Sequence, residues 1–129
     1  MQRDISIIAE KIDETALQAG RKSSAQMGAV IYFLGVVRDT EGPDQIAALE
    51  YEAFEKMARH QFDLILDQVE KRWPIGSVRL VHRVGRVGAG EPSLWVEVTA
   101  PHRAEAFAAC QFLIDEMKKV VPIWKKAVF

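Results

Sequence analysis

Four cations and an imidazole near strand and helix ends are the residues of this chain best placed for chemistry. From Ala104 to Val121 the spacing predicts a helix, with Phe107, Cys110, Ile114, Met117 and Val121 along one apolar stripe. Lys118 follows Phe107 by eleven residues, almost three turns at about 3.6 residues each, so it projects along that stripe. A lysine there either snorkels outward along its methylenes or lines a pocket that uses a cation. Its neighbour Lys119 points off the stripe as a solvated charge. Beyond Pro122 come Lys125 and Lys126, and no acid follows Glu116, so any anion site built here is local.

The junction Thr99-Ala100-Pro101-His102-Arg103 is a second candidate. A strand ends there and Pro101 is suited to open a helix. Arg103 in a first turn is unfavourable beside the partial positive charge of a helix N-terminus, unless an anion binds. The alternative is a solvated arginine and a capping histidine. Arg38 stands at the end of an apolar strand and before a turn-rich loop, where scaffolds present functional side chains and where surface arginines are also common.

Other chemistries find little support. His60 reads as a solvent-facing helix residue and His82 as a structural histidine at a sheet edge. With a solitary Cys110 they form no metal-ligand set of credible spacing, and no cofactor is implied. Glu50 and Glu52 flank Tyr51 but form no catalytic carboxylate pair. The run Gly85-Arg86-Val87-Gly88-Ala89-Gly90 lacks the Lys-Ser/Thr of a phosphate-binding loop and reads as a hairpin turn. Cys110 reads as a core filler, since nothing near it in sequence supplies a base.

The elements that must position these residues fit one domain at 129 residues, and 49% hydrophobic content suits a globular core. Lys+Arg 17 against Asp+Glu 18 gives a net charge of −1, which argues against nucleic acid as a partner. The single cysteine suits a reducing cytoplasm, the charged start Met1-Gln2-Arg3-Asp4 is unlike a signal peptide, and no apolar run reaches membrane-spanning length. Strands are expected at Ile5–Ala9, Gly28–Val37 (central and buried on both faces), Ile46–Tyr51, Ser77–Val84 and Ser93–Ala100 (half exposed). Asp13 caps a short helix closed by Gly20, and a long helix over Ala53–Arg72 is stopped by Trp73-Pro74. Asp39–Gln45 is a loop turning at Gly42-Pro43, and Trp124-Lys125-Lys126 lie on an extended or turning tail. The mixture without regular βαβ spacing indicates α+β with a mixed or antiparallel sheet.

The segments GAVIYFLGVVRD (Gly28–Asp39), LEYEAFEKMA (Leu49–Ala58), RWPIGSVRLVHRVGRVGAGEPS (Arg72–Ser93) and APHRAEAFAACQFLIDEMKKVVPIWKK (Ala100–Lys126) resemble the large, catalytic subunit of molybdopterin synthase, the MoaE family. The resemblance runs in the family's order over nearly the whole chain from about Gly28. It implies a single domain over residues 1–129, with an α/β hammerhead-like mixed sheet, flanking helices and a small antiparallel β subdomain. It also implies an activity: sulfur passes from the C-terminal Gly-Gly thiocarboxylate of a small ubiquitin-like carrier subunit to cyclic pyranopterin monophosphate, forming the dithiolene of molybdopterin. By the same resemblance the large subunit is a homodimer with a small subunit at each end, a heterotetramer. On the matching positions, Lys118 and Lys125 carry over as catalytic lysines. Arg38, His102 and Arg103 carry over as substrate-binding groups, some of them in a pocket shared across the dimer. Members usually continue past the position of Phe129 with a polar tail.

Residue chemistry accords with this, because thiocarboxylate and cyclic phosphate are both anions that Arg and Lys can hold together. Phe107 and Ile114 are expected to strip part of the water from Lys118. A different reading keeps the anion pocket without turnover: a non-catalytic module that grips a ubiquitin-like C-terminal tail or an anionic metabolite.

Overall fold

In chain order the elements are β1 (Gln2–Ile8), α1 (Glu14–Ala19), β2 (Ala29–Val36), β3 (Thr40–Glu41), β4 (Asp44–Gln45), β5 (Ala48–Ala53), α2 (Glu55–Arg72), β6 (Ser77–Arg83), β7 (Gly85–Gly88), β8 (Pro92–Ala100), α3 (Arg103–Val120) and β9 (Ile123–Val128). The computed structural model describes residues 1–22 and 24–129. Four strands form a mixed sheet in the order β1-β6-β8-β2, in which β1 and β6 are parallel and the other two pairings antiparallel. A smaller antiparallel sheet has the order β7-β5-β9, and β3 and β4 make a short hairpin that turns at Gly42, φ +59°. The architecture is α+β, a mixed sheet with flanking helices and small antiparallel sheets beside it.

Alternation on β8 explains the layers. Leu94, Val96 and Val98 join the core formed by Phe62, Ile65, Leu66 and Val69 of α2 and Ala106, Ala109, Cys110, Leu113 and Met117 of α3. Trp95 faces the other way, into a cluster with Ile12 and Val81 that Leu17 of α1 covers. Ser93 to Ala100 is therefore buried on both faces, where the alternating polar residues had suggested a half-exposed strand. The polar positions are absorbed by partners. Arg79 donates to both carboxylate oxygens of Glu97, 1% exposed, at 2.8 and 2.7 Å, and to the Leu17 carbonyl at 2.7 Å. Its guanidinium also lies 5.0 Å from the Trp95 ring centroid. One residue chain thus fixes α1 to the sheet.

Two further expectations are corrected. β2 is an edge strand and not central, and it leaves Leu34 and Val36 exposed. The first four residues of the supposed glycine turn are a strand: Gly85 adopts φ +85° to start β7, whose Val87 is buried against Leu49. The Lys125 tail takes the extended of its two expected forms, as β9, paired along its length with β5.

Candidate active site

Lys118 occupies the last turn of α3, where a cation complements the helix dipole. Pro122 ends the helix, and the amide of Phe54 donates to its carbonyl at 3.1 Å, which turns the chain back onto β5. The register that follows sets Lys125 directly opposite Tyr51. Arg38 arrives from the far side, just beyond β2. The three cations line one cavity of about 590 Å³ between the two sheets and the end of α3. Glu41 of the hairpin is the single carboxylate on its wall and sits 3.4 Å from Lys125 Nζ. Among the described residues no carboxylate lies within 4.0 Å of Lys118 or Arg38. Three cations against one acid make the cavity electropositive in a chain whose net charge is −1.

The dehydration expected of Lys118 is not found. Its side chain is exposed, and Phe107 is 58% exposed. At about 100° per residue, Phe107, Ile114 and Lys118 do share a face, but that face is turned roughly 100° from the buried stripe centred on Ala106, Leu113 and Met117. The helix carries two neighbouring apolar stripes that its spacing does not separate, and Lys118 belongs to the outer one.

His102 and Arg103 lie elsewhere. His102 is the N-cap of α3, its side chain 79% exposed and its Nδ1 4.0 Å from Glu105 Oε2. Fifteen residues of helix at about 1.5 Å each put Arg103 roughly 22 Å from Lys118. Within one chain the cavity collects Arg38, Lys118 and Lys125 and leaves these two outside.

The wall also contains residues that the sequence did not single out for function. His82, read as a structural residue at a sheet edge, lies on the interior strand β6 and is 6% exposed. Burial pushes its pKa down, against a smaller opposing effect of its bond to the Arg83 carbonyl. That contact, Nδ1 to O at 2.8 Å, puts the proton on Nδ1 and leaves Nε2 as an acceptor. The Tyr51 ring meets His82 edge-on at 5.1 Å, and its hydroxyl donates to Ser93 Oγ at 3.4 Å. Only the cross-strand pairing of Tyr51 with Lys125 could have flagged it.

A family model described as MoaE protein matches residues 7–120. The molybdopterin synthase catalytic subunit of Pyrococcus abyssi is 41% identical over 106 residues, 82% of this chain and 72% of that one. The crystal structure of molybdopterin synthase from Staphylococcus aureus superimposes with a TM-score of 0.87 at 31% identity, covering 96% of this chain and 90% of that chain. A complex of subunits 1 and 2 of molybdopterin-converting factor from Helicobacter pylori shares the fold, with a TM-score of 0.80 at 23% identity over 97% of this chain and 88% of that chain. Matched over nearly all of its sequence and fold, this chain belongs to the MoaE protein family.

Proposed function

We propose that this chain is the catalytic subunit of a molybdopterin synthase. In this reading it transfers sulfur from the C-terminal thiocarboxylate of a small ubiquitin-like carrier to cyclic pyranopterin monophosphate. The observation that carries the reading is the convergence of Arg38, Lys118 and Lys125, from three separate stretches of chain, on one cavity with a single carboxylate. Both proposed reactants are anionic. Fixed cations can hold them in contact, and an ammonium beside the acyl carbon can stabilise the negative oxygen that forms when water adds there, before the carbon–sulfur bond breaks to give the carrier's carboxylate and leave sulfur on the acceptor. Lys118 is assigned proton transfer, with room for a transient bond to substrate, and Lys125 charge stabilisation. The carrier subunit is proposed in keeping with the two-subunit complex of the Helicobacter pylori relative.

His102 and Arg103 enter this scheme through a second copy. β2 is an apolar edge with Leu34 36% and Val36 46% exposed, and Phe107 stands out on the adjoining face of α3. Such an edge invites pairing. Two copies related by a two-fold axis through this face and perpendicular to α3 would run their α3 helices antiparallel. The N-terminus of one would then lie near the Lys118 end of the other.

Conversion of cyclic pyranopterin monophosphate by the protein mixed with a thiocarboxylated carrier tests the reading. Dithiolene should form, and Lys118→Ala should lower its rate by at least about a thousandfold while the carrier still binds. Carrier binding without any product from the unmodified protein would favour the tail-gripping module instead.

A further inference from the structure

Besides the three cations and Glu41, the cavity is lined by uncharged polar side chains, Thr40 beside Glu41 and the group Tyr51, His82 and Ser93, together with Phe33, Leu94 and Val121. Small-molecule sites commonly use this pattern, a few polar groups on apolar walls fixing orientation. Resting on the function proposed above, we propose that Tyr51, His82 and Ser93 hold the uncharged bicyclic ring of the acceptor substrate by its amide-like edge, and so determine specificity for it.

Three observations support this assignment. First, the hydroxyl contacts are stretched. Tyr51 to Ser93 is 3.4 Å and Ser93 to the Gly35 carbonyl is 3.5 Å, against the usual O–H···O range of about 2.5–3.0 Å. Ser93 is only 7% exposed, so its hydrogen-bonding capacity is poorly used by the protein and little used by bulk water. Second, His82 Nε2 has no protein partner among the described residues, and with Nδ1 protonated it keeps a lone pair unused on a residue that lines the cavity. Third, the uncharged group adjoins the charged one. Tyr51 pairs across strands with Lys125, and directly opposed side chains have Cβ atoms about 4.5–5.5 Å apart. A ligand whose anionic end rests on Lys125 therefore presents its neighbouring neutral atoms to Tyr51. A pyrimidinone edge supplies N–H donors and a carbonyl acceptor, which match one imidazole acceptor and two hydroxyls able to donate or accept. A charged edge would be poorly served by this wall, because burial disfavours the charged form of His82.

Tyr51→Phe and Ser93→Ala, singly and together, test the inference, since neither removes a group that packs the core and Tyr51→Phe keeps the ring against His82. In steady-state conversion with thiocarboxylated carrier, each single change should raise KM for the cyclic pyranopterin about 3- to 10-fold, and the pair about 10- to 100-fold. The turnover number should stay within about twofold and KM for the carrier should not move. Independently of turnover, fluorescence titration with phosphate-free hydroxymethylpterin should show ring binding in the unmodified protein and in Lys118→Ala, and its loss in the double variant. An unchanged pterin KM, a rise confined to the carrier KM, a loss in turnover number alone, or ring binding that survives the double change would each overturn the inference. Wall-dependent ring binding in a protein that makes no dithiolene would sustain it and defeat the proposed function.

Discussion

Cys110 illustrates how position decides reactivity. It is 5% exposed in the core between α3 and the sheet, and burial pushes its thiol up to about 11. The thiolate is the reactive form, so alkylation near pH 8 should be slower in the native protein than in denaturant by about two orders of magnitude. Because the folded value lies above the unfolded one of about 8.5, the thiol's contribution to stability is full below that pH and is lost as pH rises toward 11. Denaturant unfolding from neutral to alkaline pH checks this: Cys110→Ala should flatten the alkaline decline, and an unchanged slope would assign it to other groups. The same logic of position governs Lys118, whose outer stripe leaves it available at the cavity while Met117 beside it is buried.

Among the elements, α1 is a helix of only six residues with none buried, so it depends on few contacts. Asp13 caps it by accepting from the Ala16 amide at 3.1 Å, and Arg79 holds its carbonyl end while neutralising Glu97. Arg79→Ala would leave a carboxylate 1% exposed without its cation, which should cost about 3–5 kcal/mol by urea unfolding. Replacing both Arg79 and Glu97 by apolar residues of similar volume should recover most of that loss, and a single-variant loss below about 1 kcal/mol would show that water or another donor takes over. The Asp13 cap and the Trp73-Pro74 stop were legible because capping and proline sterics act within a few residues. The edge position of β2, the strand character of Gly85–Gly88 and the pairing of Lys125 with Tyr51 were not. Each depends on which distant strand lies alongside, and a run of apolar or glycine residues does not state its partner. Arg38, Lys118 and Lys125 could be named as candidates from local context, yet their convergence, and the uncharged wall beside them, emerge only from those long-range pairings.

At the scale of the molecule, the 14.5 kDa chain leaves two features that its own fold does not use. One is the unpaired apolar edge of β2 with Phe107 beside it, and the other is the cationic start of α3, roughly 22 Å from the cavity that its anion-binding side chains would serve. A two-fold dimer through the first feature would resolve the second, and it makes a quantitative prediction. Lys118→Ala and Arg103→Ala chains should each be inactive alone. In a mixed dimer one site would combine both defects, whereas the other would receive an intact Lys118 from one copy and an intact Arg103 from its partner. Random mixing makes half of the dimers mixed, so co-refolded chains should regain about one quarter of the unmodified activity. Phe107→Asp should lower the mass seen by light scattering toward a single chain and abolish this rescue, because a carboxylate placed in the apolar contact is costly. If mixing restores nothing while the dimer persists, every pocket residue comes from one chain, and His102 and Arg103 must serve some site other than the cavity of Lys118.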